Sequence, residues 1–124
     1  MLRVYVAGPY RNQRGTWFVR ENIRNAELVG AEVAKMGAIP IVPHLMWAGW
    51  DGLVPDETFL AWGLSELDTC DVLVILPDSD KSAGTFGEFK RARDNDIPIV
   101  YWPECRDDLR RLIENADTAK AQTR

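Results

Sequence analysis

The chain has 124 residues, of which 46% are hydrophobic and 27% charged, as in a single folded domain with a core of its own. Its net charge of −4 argues against a general DNA- or RNA-coating role, although a local arginine can still hold one phosphorylated small molecule. Cys70 and Cys105 match no zinc or redox spacing, and no leader or membrane-length apolar run is present, so we expect a cytoplasmic, metal-free protein whose cysteines pack as small hydrophobic residues.

The first predicted strand covers residues 2–7 and closes at the turn signal Gly8-Pro9. The loop that follows carries Arg11 and Arg14. A strand that stops at a glycine-containing loop before a helix is a common way to hold an anion, because backbone N–H groups and an arginine can both face it. The alternative is that both arginines are ordinary solvated surface.

Strands and helices alternate along the rest of the chain. The predicted elements are an amphipathic helix at 17–36, strands at 38–42, 71–76 and 97–102, helices at 56–69 and 103–116, and a helix that opens at Glu88 and ends near residue 94. This alternation predicts a single-domain α/β fold, a flavodoxin- or Rossmann-like three-layer sandwich with a parallel sheet of four to five strands. We assign the domain to residues 1–116 and expect residues 117–124 to be a flexible C-terminal tail.

Residues 44–55 are the least regular part of the chain and carry its only histidine, His44, with Trp47 and Trp50. Large aromatic side chains after a strand end can stack on a flat ligand such as a nucleobase. They can equally cover the core or a subunit interface. A histidine directly after a proline, without a serine or cysteine partner, is typical of a hydrogen-bonded structural residue rather than a catalyst.

The stretch 71–92 is the most informative for chemistry. A buried strand leads through a polar loop into a turn bracketed by Gly84 and Gly87, and Glu88 opens the next helix. In the first turn of a helix, the dipole and the unpaired N–H groups favour an ionised carboxylate, the form that a nucleophile or general base requires. The position after a strand also suits a ligand site in an open α/β sheet. The alternative is that Glu88 only caps its helix.

Four motifs together resemble the nucleoside 2-deoxyribosyltransferase-like superfamily: VYVAGPYR at 4–11, PIVPHL at 40–45, CDVLVILP at 70–77 and SAGTFGE at 82–88. The resemblance extends from residue 2 to about residue 102. It implies either transfer of a deoxyribose between bases or hydrolysis of the N-glycosidic bond of nucleoside 5′-monophosphates. It also implies a small-molecule nucleotide or nucleoside as the partner, no cofactor, and a homo-oligomer.

The same resemblance implies roles for individual residues. Glu88 matches the nucleophile that forms a covalent ribosyl-enzyme, and Tyr5 matches a tyrosine that positions this glutamate or the sugar. Ser82 falls where the nucleotide hydrolases bind phosphate and the nucleoside transferases have an acidic residue, which favours a 5′-phosphorylated substrate. The substrate-binding residues expected on this basis are Gly8, Pro9, Arg11, His44, Trp47, Ser82 and Gly84, with Arg14 as a further phosphate ligand.

One position departs from the family pattern. An aspartate that helps to protonate the departing base is expected eight residues before Asp71, where this chain has Gly63. Loss of such an acid removes a contribution of about a hundredfold or more. Of the nearby acids Glu66 and Asp68, Glu66 is the closer to Gly63 in direction on a helix. The departure motivates an alternative, a nucleotide-binding or sensing module with little or no turnover; a third option is a partner-binding domain whose two loop tryptophans form an interface.

Overall fold

Short apolar runs form the strands of one sheet, and helices connect them. The computed structural model describes the backbone of residues 1–122, and the side chains of these residues other than Lys81 and 119–122. The elements are β1 (Arg3–Ala7), α1 (Thr16–Lys35), β2 (Ile39–Ile41), α2 (Pro43–Met46), α3 (Asp56–Leu67), β3 (Val72–Ile75), a 3-10 turn (Ser79–Lys81), α4 (Ala83–Asp94), β4 (Ile99–Tyr101) and α5 (Arg106–Gln122).

The four strands lie in the order β2-β1-β3-β4, and all neighbouring pairs are parallel. Tyr5 of β1 is in register with Ile41 on one side and Leu73 on the other. The strand order reverses direction between β1 and β3, as in flavodoxin-like sheets, where ligands bind outside the carboxyl ends of the strands at this switch point. The predicted parallel α/β sandwich is confirmed, with four strands in the part of the chain that the structure describes.

Two hydrophobic clusters lie on opposite faces of the sheet, because successive strand side chains point to opposite sides. On one face, Val4 and Val6 pack against α1 and α5. On the other, Tyr5 and Ala7 pack with residues of β3, α3 and α4. The interior strand β1 therefore contributes side chains to both hydrophobic clusters, and Tyr5 points toward the helical layer that carries Glu88.

Both cysteines are free and buried, as predicted from their spacing. Burial raises the pKa of the Cys70 thiol, and it raises that of Cys105 to about 11, so both stay protonated at neutral pH. Within the described residues, no helix is long and apolar enough to cross a bilayer. Nor does any group of three or more His, Cys, Asp or Glu side chains converge there as a metal site would.

Several element boundaries differ from the sequence expectations. The last helix begins at Arg106 rather than at Pro103, because residues 102–105 form a turn. Helix α4 begins at Ala83 rather than at Glu88, because Ser82 caps it and the packing of its buried face outweighs the cost of two glycines. The short helix α2 overlaps the start of the segment 44–55 that was expected to be irregular, and Pro43 occupies its first helical position. Helix α5 runs to Gln122 through residues expected to form a tail, since good helix formers continue there without a breaker; Thr123 and Arg124 lie outside the described residues.

Candidate active site

Glu88 lies in the second turn of α4. The Ser82 hydroxyl oxygen caps this helix by accepting hydrogen bonds from the Thr85 backbone N–H at 3.2 Å and from the Thr85 hydroxyl at 3.0 Å. The expectation that Glu88 occupies the first turn, as a cap or as a carboxylate in the positive end of the dipole, is therefore wrong. Its environment comes instead from the sheet beneath the helix.

That environment is dominated by Tyr5, the largest fully buried side chain on β1, which is 1% exposed. The Tyr5 hydroxyl lies near the half-buried Glu88 carboxyl group and acts on its ionisation. Burial raises the pKa of Glu88 from 4.5 to about 7, and the interaction with the Tyr5 hydroxyl opposes this rise. Burial and then the charge of Glu88 raise the pKa of Tyr5, so the phenol remains a donor. At neutral pH the pair therefore holds Glu88 partly as the acid and partly as the carboxylate, contrary to the expectation of full ionisation.

Gly63, on α3, lies against the same tyrosine. A Cβ at this position would be 2.9 Å from the Tyr5 hydroxyl oxygen, closer than such carbon atoms approach in real structures. Gly63 is buried. The place where the resemblance expects an aspartate is therefore not open, because the phenol occupies it.

The two acids nearest to Gly63 in sequence have other partners. Glu66 pairs with Arg3 at 3.5 Å. Asp68 receives two hydrogen bonds from the Arg91 guanidinium at 2.8 and 2.6 Å, and this contact lowers the pKa of Asp68. Neither carboxyl group is thus placed to act as the acid missing at Gly63.

A hydrogen bond from His44 holds the loop after β1 in place. Its Nε2–H donates to the Pro9 carbonyl oxygen at 3.0 Å, and burial lowers the pKa of the imidazole, which is 7% exposed. Gly8 has no room for a side chain, since a Cβ would be 2.7 Å from Leu76 Cδ1. These contacts bring three predicted site residues together and give His44 the structural role that the sequence favoured.

Arg11, by contrast, forms ion pairs with two carboxylates. Its guanidinium pairs with Asp51 at 3.2 Å and with Asp56 at 2.7 Å, and the Tyr10 hydroxyl also donates to Asp51 at 3.0 Å. Arg11 is exposed, so these pairs exchange readily with solvent. A phosphate would have to compete with both acids for this arginine.

The two tryptophans of the irregular segment have different surroundings. Trp47 packs against two aromatic rings of α3, with ring centroids 5.3 Å from Trp62 and 6.5 Å from Phe59. Trp50 is 45% exposed. Trp47 therefore contributes to the fold, and its predicted role in stacking on a ligand stays a prediction.

A cavity of about 470 Å³ opens at the carboxyl ends of β3 and β4, beside α4. Its aromatic walls are Phe86, Phe89, Tyr101 and Trp102, and its carboxylates are Asp78, Asp80 and Glu104. Thr85 and Phe89, which flank Glu88 on α4, also line it, whereas Glu88 and Tyr5 do not. A second cavity, of about 300 Å³, lies on the α1 side and shares the wall formed by Leu76, Pro77, Asp78 and Trp102.

The aromatic walls of the larger cavity are the part of this site that sequence reasoning missed. Tyr101 and Trp102 close the predicted fourth strand, and the rule that ligands bind beyond the carboxyl ends of parallel strands points to such residues. Phe86 escapes prediction because the two glycines of residues 84–87 indicate a turn. Its side chain is 68% exposed on the first turns of α4.

Comparison with known proteins places the chain at two levels. A family model described as a domain of unknown function (DUF7768) matches residues 2–102. The solved structure of a 2-deoxyribosyltransferase from Bacillus psychrosaccharolyticus is similar with a TM-score of 0.61, over 80% of this chain and 70% of that one, at 14% sequence identity. Such a likeness shows a shared fold. No curated protein matches the sequence.

Proposed function

The chain belongs to the DUF7768 family, and from this premise we propose that it breaks or transfers the N-glycosidic bond of a nucleoside or nucleoside 5′-monophosphate, with Glu88 as the nucleophile. The observation that carries the proposal is the pairing of a half-buried glutamate with a buried tyrosine hydroxyl on one face of the sheet. Its setting, a fold shared with a 2-deoxyribosyltransferase, supports it. Perturbed carboxyl groups of this kind are common at catalytic sites.

In the proposed reaction, an oxygen of ionised Glu88 attacks the anomeric carbon of the sugar as the bond to the base breaks. The base leaves with the electron pair of that bond and takes up a proton. Water or a second base then attacks the same carbon, and the glutamate leaves as a carboxylate, as in retaining glycosidases. Tyr5 donates to the carboxyl group throughout, which orients it and supports its ionised form.

The larger cavity is the proposed site of the base. Its phenylalanine, tyrosine and tryptophan rings offer flat apolar walls, and Thr85 and Phe89 connect it to the helix that carries Glu88. Because the position of Gly63 offers no acid, the departing base is proposed to take up its proton from water.

The preference for a substrate with or without a 5′-phosphate depends on Ser82 and Arg11. Both remain proposed phosphate ligands, but Ser82 now caps α4 and Arg11 is paired with two acids. A nucleoside requires no change at either group. A monophosphate requires Arg11 to leave its two acids, whereas Ser82 accepts both of its hydrogen bonds from Thr85 and can still donate its own hydroxyl proton to a phosphate. The two substrate classes are therefore separate arms of the test.

The test is release of free base. The purified protein is incubated with ribo- and deoxynucleosides and their 5′-monophosphates, with and without a second base as acceptor, and the products are separated by chromatography. Release that is lost in Glu88→Ala and retained in Glu114→Gln, an exposed glutamate on α5, supports the proposal. Release that persists unchanged in Glu88→Ala contradicts it.

The second candidate is a nucleotide-binding or sensing module without efficient turnover. It is favoured by Gly63, since the tyrosine hydroxyl fills the place of the expected acid and the neighbouring acids are ion-paired. Calorimetric binding of a nucleotide that survives Glu88→Ala, with no base released by the wild type, selects this alternative. Homo-oligomerisation and a cytoplasmic location stay predictions.

A further inference from the structure

Gly63 of α3 faces the Tyr5 side chain of β1, with no room for a side chain of its own. Tyr5 is 1% exposed and shares its cluster with Leu67 and Leu73, so its ring has little freedom to swing aside. A methyl group at position 63 would lie 2.9 Å from the phenol oxygen. The hydroxyl would therefore have to move if this residue gained a side chain.

We propose that Gly63 is a positioning residue, whose missing side chain leaves the room in which the Tyr5 hydroxyl reaches the Glu88 carboxyl group. An aspartate here would bring its Cβ into the same conflict as an alanine. Gly63 and Tyr5 thus form one unit, and the glycine is not simply an acid that was lost. The inference rests on the proposed function only for the catalytic use of Glu88; the contact itself does not depend on it.

The groups around Glu88 make the consequence measurable. From β1, Tyr5 acts on its carboxyl group, and this interaction lowers the pKa that burial raises. Glu66 and Cys70, on the α3 side, act on Tyr5 and raise its pKa. Strand β3 contributes no titratable side chain, and Tyr101 and Asp80 line the cavity beside α4. Displacing the phenol therefore leaves burial unopposed, and Glu88 should titrate at higher pH.

The experiment is a titration of Glu88 by NMR in protein with ¹³C-labelled glutamate carboxyl groups. We expect Gly63→Ala to raise the Glu88 midpoint by about one pH unit, a tenfold change in its ionisation constant. Tyr5→Phe should raise it similarly, and the double variant no further, since the alanine then has no hydroxyl to displace. Gly87→Ala is the matched control. It lies on the same helix as Glu88, and its added Cβ would meet nothing within 4 Å.

An unchanged midpoint in Gly63→Ala or Tyr5→Phe, or additive shifts in the double variant, would overturn the inference. If Gly63→Ala does not fold, folding restored by adding Tyr5→Phe supports the proposed conflict, and no restoration refutes it. The base-release assay separates this inference from the proposed function. If the Glu88 midpoint shifts as expected but no base is released, the inference holds and the proposed function fails. If base release depends on Glu88 but the midpoint does not move in Gly63→Ala, the function holds and the inference fails.

Discussion

Replacing Glu88 by glutamine removes a proton-binding group that burial has made unusually basic, and this should change how the stability of the fold depends on pH. The carboxyl group moves from an ordinary pKa of 4.5 in the unfolded chain to about 7 in the folded one. The folded state therefore binds the proton more tightly. At about 1.36 kcal/mol per pH unit, the difference amounts to roughly 3 kcal/mol at most.

The sign follows from which state loses the proton first. Below pH 4.5 both states are protonated and Glu88 costs nothing. Between pH 4.5 and about 7 the unfolded chain ionises while the folded protein does not, so the free energy of unfolding falls as pH rises. Above pH 7 the cost is constant. Glu88→Gln cannot ionise and should escape this loss.

The assay is urea unfolding of both proteins at several pH values from 4.5 to 8.5. The stability of Glu88→Gln relative to the wild type should rise across this range by about 2 to 3 kcal/mol and then level off. Taking the difference cancels other titrating groups, and Glu114→Gln on the exposed side of α5 should show no such rise. A difference that is the same at pH 5 and pH 8 would refute the assigned environment of Glu88.

Three further predictions concern the cavity, the reaction and the loop after β1. If Glu88 attacks as a carboxylate, base release should fall about tenfold per pH unit below pH 7, as a pH profile of kcat/KM would show. Tyr101→Ala should raise KM about tenfold through lost stacking on the base, whereas Trp17→Ala, an exposed ring on α1, should leave it unchanged. Gly8→Ala should cost about 1 to 3 kcal/mol by overpacking against the end of β3, while Gly87→Ala should gain up to about 1 kcal/mol, both measured by urea unfolding; equal effects would contradict the packing described.

The sheet could be predicted because its signals are local. The apolar runs before Gly8 and Pro77, and the helices between strands, carry their own periodicity and breakers, and these fix a parallel α/β architecture. The start of α4 was missed for a local reason also. In the sequence, Gly84 and Gly87 indicate a turn. In the structure, Ser82 caps the helix and α4 begins at Ala83, because packing of its buried face stabilises the helix despite these glycines.

The chemistry of the site depends on contacts between distant parts of the chain. Tyr5 and Gly63 lie far apart in sequence, so no pattern in the chain shows that one fills the space of the other. The pairing of Arg11 with Asp51 and Asp56 likewise joins the loop after β1 to a second loop and to the first residue of α3. Sequence identified the residue types that do chemistry, but protonation and availability are set by burial and by partners that only the folded structure brings together.

The strand order has a consequence for motion at the site. Tyr5 sits on an interior strand that is hydrogen-bonded on both sides, so its backbone amide should exchange with deuterium only when the whole domain opens. Glu88 lies on a surface helix, which can open locally at lower free energy. Local opening of α4 therefore separates the Glu88 carboxylate from the Tyr5 phenol, and amide exchange in α4 measures how often the pair separates.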